Sequence, residues 1–199
     1  MVRVIAGSAK GILLCSPKGN KTRPIPDNVK ESLFNILAEI IPDSRVLDLY
    51  AGTGAVGIEA LSRGAKSCLF VENGTFAIQS IKKNISATKL LNKSVTVRCD
   101  VLKTIPFLEQ NTDGIDIVFA CPPYPLADNS SYREKLLMLL SILFEKDIVC
   151  PGGIVVFQHR KITLEIPPGA SFLKLYDTRS YRETQISFFE KKITVGNMS

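Results

Sequence analysis

Two stretches of this chain carry side chains whose types and spacing fit ligand chemistry. The first runs from Arg45 to Gly57. A short apolar run (Val46, Leu47, Leu49) meets a turn holding Gly52 and Gly54, and a helical pattern then opens through Ala55, Val56, Ile58, Ala60 and Leu61. Strand, glycine turn and helix N-terminus in that order let backbone N–H groups come close to a nucleotide-like ligand. Asp48 sits at the strand's end, where a carboxylate needs a partner. Glu72 closes the next apolar run, twenty residues after Gly52, the separation at which an acid meets a ribose in dinucleotide- and nucleoside-binding folds. The plain alternative is a strand-to-helix turn whose glycines relieve backbone strain, with Asp48 as a capping acid.

The second stretch is Cys121-Pro122-Pro123-Tyr124, directly after the apolar run Ile115–Ala120. Two prolines stiffen the backbone and leave its carbonyls as acceptors. Tyr124 offers a flat face, and stacking a base on such a ring contributes about 1–3 kcal/mol. The plain alternative is a rigid turn with Tyr124 packed on its neighbours. Basic residues are concentrated elsewhere: Arg3, Lys10, Lys18, Lys21, Arg23 and Lys30 face the single acid Asp27 in the first thirty residues, in a chain of net charge +6. Such a segment can contact phosphates with a salt-dependent affinity, or be an ordinary solvated surface.

Other chemistries find less support. The five cysteines are odd in number and form no Cys-x-x-Cys pair, and His159 is the lone histidine. This argues against a metal site or a disulfide framework and for a reducing cytoplasm. His159, within Phe157-Gln158-His159-Arg160, reads as a structural side chain, although its position at a strand end also suits a crevice-facing one. No apolar run approaches the roughly 18–20 residues of a bilayer span, and the N-terminus lacks the apolar core of a signal peptide.

Elements must bring the two stretches together. The length of 199 residues suits one domain with a small appendage. Val2–Gly7 and Gly11–Cys15 read as a hairpin, Ser16–Pro26 as a loop, and Asp27 as the N-cap of a helix with Val29, Leu33, Ile36, Leu37 and Ile40 on one face. Strands are then expected at Val46–Leu49, Ser67–Val71, Val95–Arg98, Ile115–Ala120 and Ile154–Phe157. Helices between them are expected at Ala55–Arg63, Thr75–Leu90, Leu102–Glu109 and Tyr132–Phe144. This alternation means a parallel sheet covered on both faces. Phe172–Asp177 and Glu183–Glu190, joined by a turn from Thr178 to Arg182, read as a closing antiparallel pair. Ligands of open α/β sheets bind beyond the carboxyl ends of the strands, so Ala51–Gly54, Glu72, Asp100 and Cys121–Tyr124 should share one crevice.

Pro122-Pro123-Tyr124 after a strand resembles the Asp/Asn-Pro-Pro-Tyr/Phe motif of S-adenosylmethionine-dependent amino-methyltransferases. The wider chain resembles the RsmD family, bacterial enzymes that methylate a guanine N2 of small-subunit (16S) ribosomal RNA. The matching segments are Val4–Gly7, Arg23-Pro24 with Asp27–Asn35, Leu47–Gly64, Glu72, Asp100, the Pro-Pro-Tyr turn and Tyr181–Thr184. The resemblance implies the class I methyltransferase (Rossmann-like) α/β fold: a seven-stranded, mostly parallel sheet with a C-terminal antiparallel strand, plus the small N-terminal hairpin. Residues 1–26 would be an RNA-contacting appendage, 27–192 the methyltransferase domain and 193–199 a tail.

Carried over by position, the resemblance puts Gly52 and Gly54 under the methionine part of S-adenosylmethionine, with Ala51 in the same loop and Asp48 nearby. Glu72 would accept from the ribose hydroxyls, Asp100 would approach the adenine amine, and Val101 would line its ring. Cys121, Pro122, Pro123 and Tyr124 would hold the target base. Arg3, Lys10, Lys21 and Arg23, from the basic N-terminal segment, are the candidate contacts to RNA phosphates. The implied partner is 16S ribosomal RNA within the small subunit or an assembly intermediate, met by a monomer with no membrane role.

Two positions depart from the family pattern. Cys121 stands where the family has Asp or Asn, and a thiol is a weak acceptor for an exocyclic amine. Ile25-Pro26 stands where the family carries hydroxyl residues. The competing functions are an amino-methyltransferase acting on DNA adenine or protein glutamine, a thiol-based cytosine-C5 enzyme, and a non-catalytic assembly protein that binds cofactor or RNA.

Overall fold

The computed structural model describes residues 2–16 and 25–192. Two short strands, β1 (Val2–Arg3) and β2 (Leu13–Leu14), pair antiparallel. Helix α1 (Asp27–Ile36) follows, and then β3 (Arg45–Leu49), α2 (Ala55–Ser62), β4 (Ser67–Glu72), α3 (Thr75–Ala87) and β5 (Ser94–Arg98). The chain continues with α4 (Ile105–Asn111), β6 (Ile115–Ala120), α5 (Tyr124–Asp128), α6 (Ser130–Glu145), β7 (Val149–Arg160), β8 (Leu173–Tyr181) and β9 (Thr184–Lys191).

The main sheet has seven strands in the order β5-β4-β3-β6-β7-β9-β8. The first five are mutually parallel, and β9 is antiparallel to both β7 and β8. This is the sheet anticipated from the sequence. Its inner strands β3, β4, β6 and β7 are mostly apolar because both faces are covered, whereas the edge strands β5 and β8 carry polar, more exposed residues. Val46, Phe70, Phe119 and Val156 pack on the α1–α2–α3 side, whereas Leu47, Val71, Val118 and Phe157 pack with Leu136, Leu140 and Phe144 of α6 on the other. Strand order reverses between β3 and β6, and their carboxyl ends form the crevice expected at such a switch point.

Several local expectations change. Asp27 is not the N-cap of α1: Pro26 holds that position with an extended ψ of 145°, and Asp27 lies in the first turn, where its charge favours the helix dipole. The helix expected at Leu102–Glu109 is divided into a 3₁₀ turn, Val101–Lys103, and α4. Pro106 at the start of α4 lacks the N–H needed to continue a helix from upstream, but suits a first turn. Strand β8 runs on to Tyr181, and Arg182, at φ 52°, makes the reversal into β9 tighter than the turn expected from Thr178.

The N-terminal ladder is also shorter than expected, because residues 5–9 bond to α2 instead. Ile5 and Ala6 donate their N–H groups to the Glu59 carboxylate at 2.7 and 3.0 Å. Ser8 donates to the Ser62 carbonyl and Ala9 to the Ser62 hydroxyl. Gly7 passes so close that a Cβ there would lie 1.8 Å from the Ser62 carbonyl oxygen. Glu59 also receives the buried Lys30 ammonium at 3.3 Å and Arg63 at 2.8 Å. Four donors thus converge on one buried carboxylate and fasten the hairpin to α1 and α2. Val2, Val4, Ala9 and Leu14 complete the attachment by joining the apolar core on that side.

Candidate active site

The chain leaves β3 at Leu49 and turns through Tyr50, whose φ of 60° is unusual for a residue with a side chain. Gly52 and Gly54 continue the turn at φ 57° and 78°, and Gly54 is the N-cap of α2. Asp48, at 1% exposure, points under this turn and accepts the Gly57 N–H at 2.9 Å. Its side chain therefore serves one of the orphan donors of α2 from the neighbouring strand. Burial, and secondarily the charge of Glu72, raise its pKa to about 7 against the opposing Gly57 bond. Gly57 has its own reason to be glycine: a Cβ would lie 2.4 Å from Phe70 and 2.6 Å from the Cys68 sulfur.

Glu72, at the end of β4, organises the loop from the other side. Its Oε2 accepts the Gly52 N–H at 2.8 Å, and its Oε1 accepts the N–H groups of Asn73 and Gly74. A carboxylate has about four acceptor positions, so one on Oε2 stays free for a ligand hydroxyl. Asp100, after β5, accepts the Leu102 N–H through Oδ1 at 3.0 Å and caps the 3₁₀ turn that carries the buried Val101.

Cys121 to Tyr124 leave β6 beside Leu49, whose carbonyl receives the Cys121 N–H at 3.4 Å. Burial, with a smaller contribution from the Asp48 charge, pushes the Cys121 thiol well above its ordinary pKa. A thiolate nucleophile or a thiol base is therefore disfavoured, which counts against the cytosine-C5 reading. Pro123 caps α5, which begins at Tyr124. The Tyr124 hydroxyl meets the Thr184 hydroxyl at 2.5 Å, and the Arg160 guanidinium lies 4.7 Å from the ring centroid. Arg160 is itself paired with Asp128 at 2.9 Å and Glu183 at 3.4 Å. One face of Tyr124 is thus covered by a cation, and the tyrosine is fixed at both ring and hydroxyl.

One crevice of about 650 Å³ is lined by Asp48, Ala51, Gly52, Glu72, Asp100, Val101, Cys121, Pro122, Pro123 and Tyr124. Gly54 lies behind this lining, packed toward Ile58 and Phe70. Ser16 and Ile25, the described residues flanking 17–24, both line the crevice as well. Lys18, Lys21 and Arg23 fall outside the described residues, as does the expected tail, 193–199. Arg3 and Lys10 are exposed on the hairpin, with Arg3 paired to Asp27 at 3.1 Å. His159 does not reach the crevice. It is fully buried, with Nδ1 bonded to the Arg160 carbonyl and Nε2 to Ser187.

Sequence reasoning missed several members of the site. Tyr50 and Tyr132 line it and share a hydroxyl contact of 2.9 Å. Gln158, Arg160 and Glu183 line the end nearest Tyr124. Asn84 of α3, buried at 1%, donates to the carbonyls of Thr53 and Cys15 and accepts the Cys15 N–H. It ties the glycine loop to the hairpin. An amide on the buried face of α3, among Ala77, Ser80, Ile81 and Ile85, was the available signal.

Comparison with known proteins fits this geometry. Residues 2–190 match the family described as conserved hypothetical protein 95. YlbH of Bacillus subtilis is 34% identical over 191 residues, covering 96% of this chain and all of that protein. The ribosomal RNA small subunit methyltransferase D of Haemophilus influenzae is 34% identical over 162 residues, 80% of this chain and 79% of its own. Among solved structures, the Thermus thermophilus hypothetical protein TTHA0928 superposes with a TM-score of 0.78 at 30% identity, covering 96% of this chain and 99% of that one. Escherichia coli yhhF does so at 0.77 and 25% identity, covering 96% and 98%.

Proposed function

The chain belongs to the conserved hypothetical protein 95 (RsmD) family, and from that premise we propose that it methylates a guanine N2 of small-subunit ribosomal RNA with S-adenosylmethionine as donor. The relatives named ribosomal RNA small subunit methyltransferase D support ribosomal RNA as the substrate class. The observation that carries the reading is the shared crevice, in which the Gly52 loop, Glu72 and Asp100 lie beside the Cys121–Tyr124 turn.

The residues present fit the cofactor. The backbone of Ala51 and Gly52 offers close approach for the methionine part, and the ionisable Asp48 beneath it favours a cation. Glu72 keeps one acceptor position for a ribose hydroxyl, Asp100 keeps Oδ2 for the adenine amine, and Val101 supplies an apolar wall. Bound there, S-adenosylmethionine would supply a methyl group activated by its sulfonium for the amine nitrogen to take up, with the neutral thioether as leaving group. The amine's proton leaves to water. The chain's own residues contribute chiefly alignment of amine and methyl, a source of large rate gains. Tyr124, pinned by Thr184 and Arg160, gives the base a fixed wall, and the rigid Pro122-Pro123 turn sets its depth. A guanine in a helical stem must turn out of its stack to enter. Arg3, Lys10, Lys21 and Arg23 are the phosphate contacts in this reading, and the chain acts as a monomer.

Tritium transfer from labelled S-adenosylmethionine to small subunits from a methylase-deficient strain tests the proposal. Label in 16S RNA is expected. Label on adenine or on protein would reject the guanine assignment, and cofactor binding without transfer would favour the non-catalytic reading.

A further inference from the structure

The exocyclic amine of the target needs an acceptor to orient it, and Cys121 supplies a poor one. We propose that Gln158 of β7 takes that part, its carboxamide oxygen receiving an N–H of the target amine in the crevice. The inference rests on the methyl-transfer reading above and names a residue that the resemblance did not single out.

Three observations carry it. Parallel pairing puts Ala120 of β6 opposite Phe157 of β7, so Cys121 and Gln158 occupy the next level of the two neighbouring strands. Phe157 and Ala120 face α6 whereas Phe119 and Val156 face α1 and α2. Side chains alternate along a strand, so Cys121 and Gln158 both project to the α1–α2 side, next to each other. Both also line the same crevice, together with Pro122, Pro123 and Tyr124.

The third observation concerns satisfaction of polar atoms. Gln158 is 6% exposed, and its buried Oε1 has no hydrogen-bond partner among the described residues. Its Nε2 donates to the Tyr124 hydroxyl at 3.5 Å, at the limit of a hydrogen bond, and that hydroxyl meets Thr184 at 2.5 Å. The amide is thereby turned with its nitrogen toward Tyr124 and its oxygen left over. A buried acceptor without a donor is costly, and a polar side chain persists in such a place when an occupant brings the donor. The occupant expected beside Cys121 and Tyr124 is the base, and its amine carries two N–H groups. One bonded to Gln158 fixes rotation about the carbon–nitrogen bond, so that the lone pair faces the methyl carbon.

Single-turnover methylation of unmethylated small subunits tests this with a double-mutant cycle. Gln158→Leu should slow transfer about tenfold or more, the scale of one missing buried hydrogen bond, with cofactor affinity unchanged. Gln158→Glu, which keeps an acceptor, should recover most of the rate. Adding Cys121→Asp should accelerate the Gln158→Leu protein about tenfold more than it accelerates the unsubstituted one, because the acid restores the missing acceptor. A role limited to propping Tyr124 would show no such coupling, and equal effects of Cys121→Asp in both backgrounds would overturn the proposal. So would a Gln158→Leu protein of undiminished rate. If the unsubstituted protein transfers no methyl group at all, the activity reading fails and this inference falls with it. Transfer to a different amino group, with the coupling intact, would reject only the guanine assignment.

Discussion

Asp48 couples the chemistry of the crevice to pH. Its pKa of about 7 stands above the ordinary 3.8, so the folded protein holds a proton that the unfolded chain has released. Stability from this group is complete below about pH 4 and is lost as pH rises through about 7. Urea unfolding of the ligand-free protein should therefore show stability falling between about pH 4 and 7 and levelling off above, and Asp48→Asn, which still accepts the Gly57 N–H, should flatten that slope. An unchanged slope in the variant would contradict the assignment. The cationic cofactor reverses the sign, because a nearby positive charge favours the carboxylate. Calorimetric affinity for S-adenosylmethionine should accordingly rise with pH through about 7 in the native protein and vary less in Asp48→Asn.

At the scale of elements, α2 is the hub. Its first turn meets Asp48, Gly57 packs on β4, and Glu59 and Ser62 hold the N-terminal segment. Glu59→Ala would strand the buried Lys30 ammonium, a loss of about 3–5 kcal/mol, to be read from the urea midpoint. Gly57→Ala would push a methyl group into Phe70 and Cys68 and cost about 1–3 kcal/mol; a neutral result would mean that β4 yields easily. These attachments were only partly legible in the sequence. The sheet was, because continuous apolar strands and intervening helical periods are local patterns, and so was the meeting of Gly52, Glu72, Asp100 and Cys121 at strand ends. Lys30 counted only as one of the basic residues of the N-terminal segment and Glu59 drew no reading, since nothing local announces that residues 5–9 will return to cover them. Gln158 was passed over for a similar reason. Its meaning comes from the β6–β7 register and from an unpaired atom, neither of which a single sequence displays. The Pro26 cap and the divided helix at Val101–Asn111 turn on single residues at element ends, where periodicity carries little information.

For the whole molecule, the proposed function together with the net charge of +6 and the exposed Arg3 and Lys10 of the hairpin predicts RNA contacts spread beyond the crevice. RNA affinity should fall steeply with salt, and removing one phosphate-binding side chain should reduce the slope of log affinity against log salt by about 0.7. Titrations of Arg3→Ala and Lys10→Ala against a small-subunit RNA fragment would measure this, and slopes equal to that of the unsubstituted protein would place the RNA on another face. The central claim is more specific: a methyl group passes to one kind of atom in one kind of RNA. Unmethylated small subunits, incubated with the protein and S-adenosylmethionine and digested to nucleosides, decide it by mass spectrometry. The expected product is N2-methylguanosine from 16S RNA. A methylated adenosine or cytidine, or no new nucleoside from subunits that another methylase can still modify, would contradict the account.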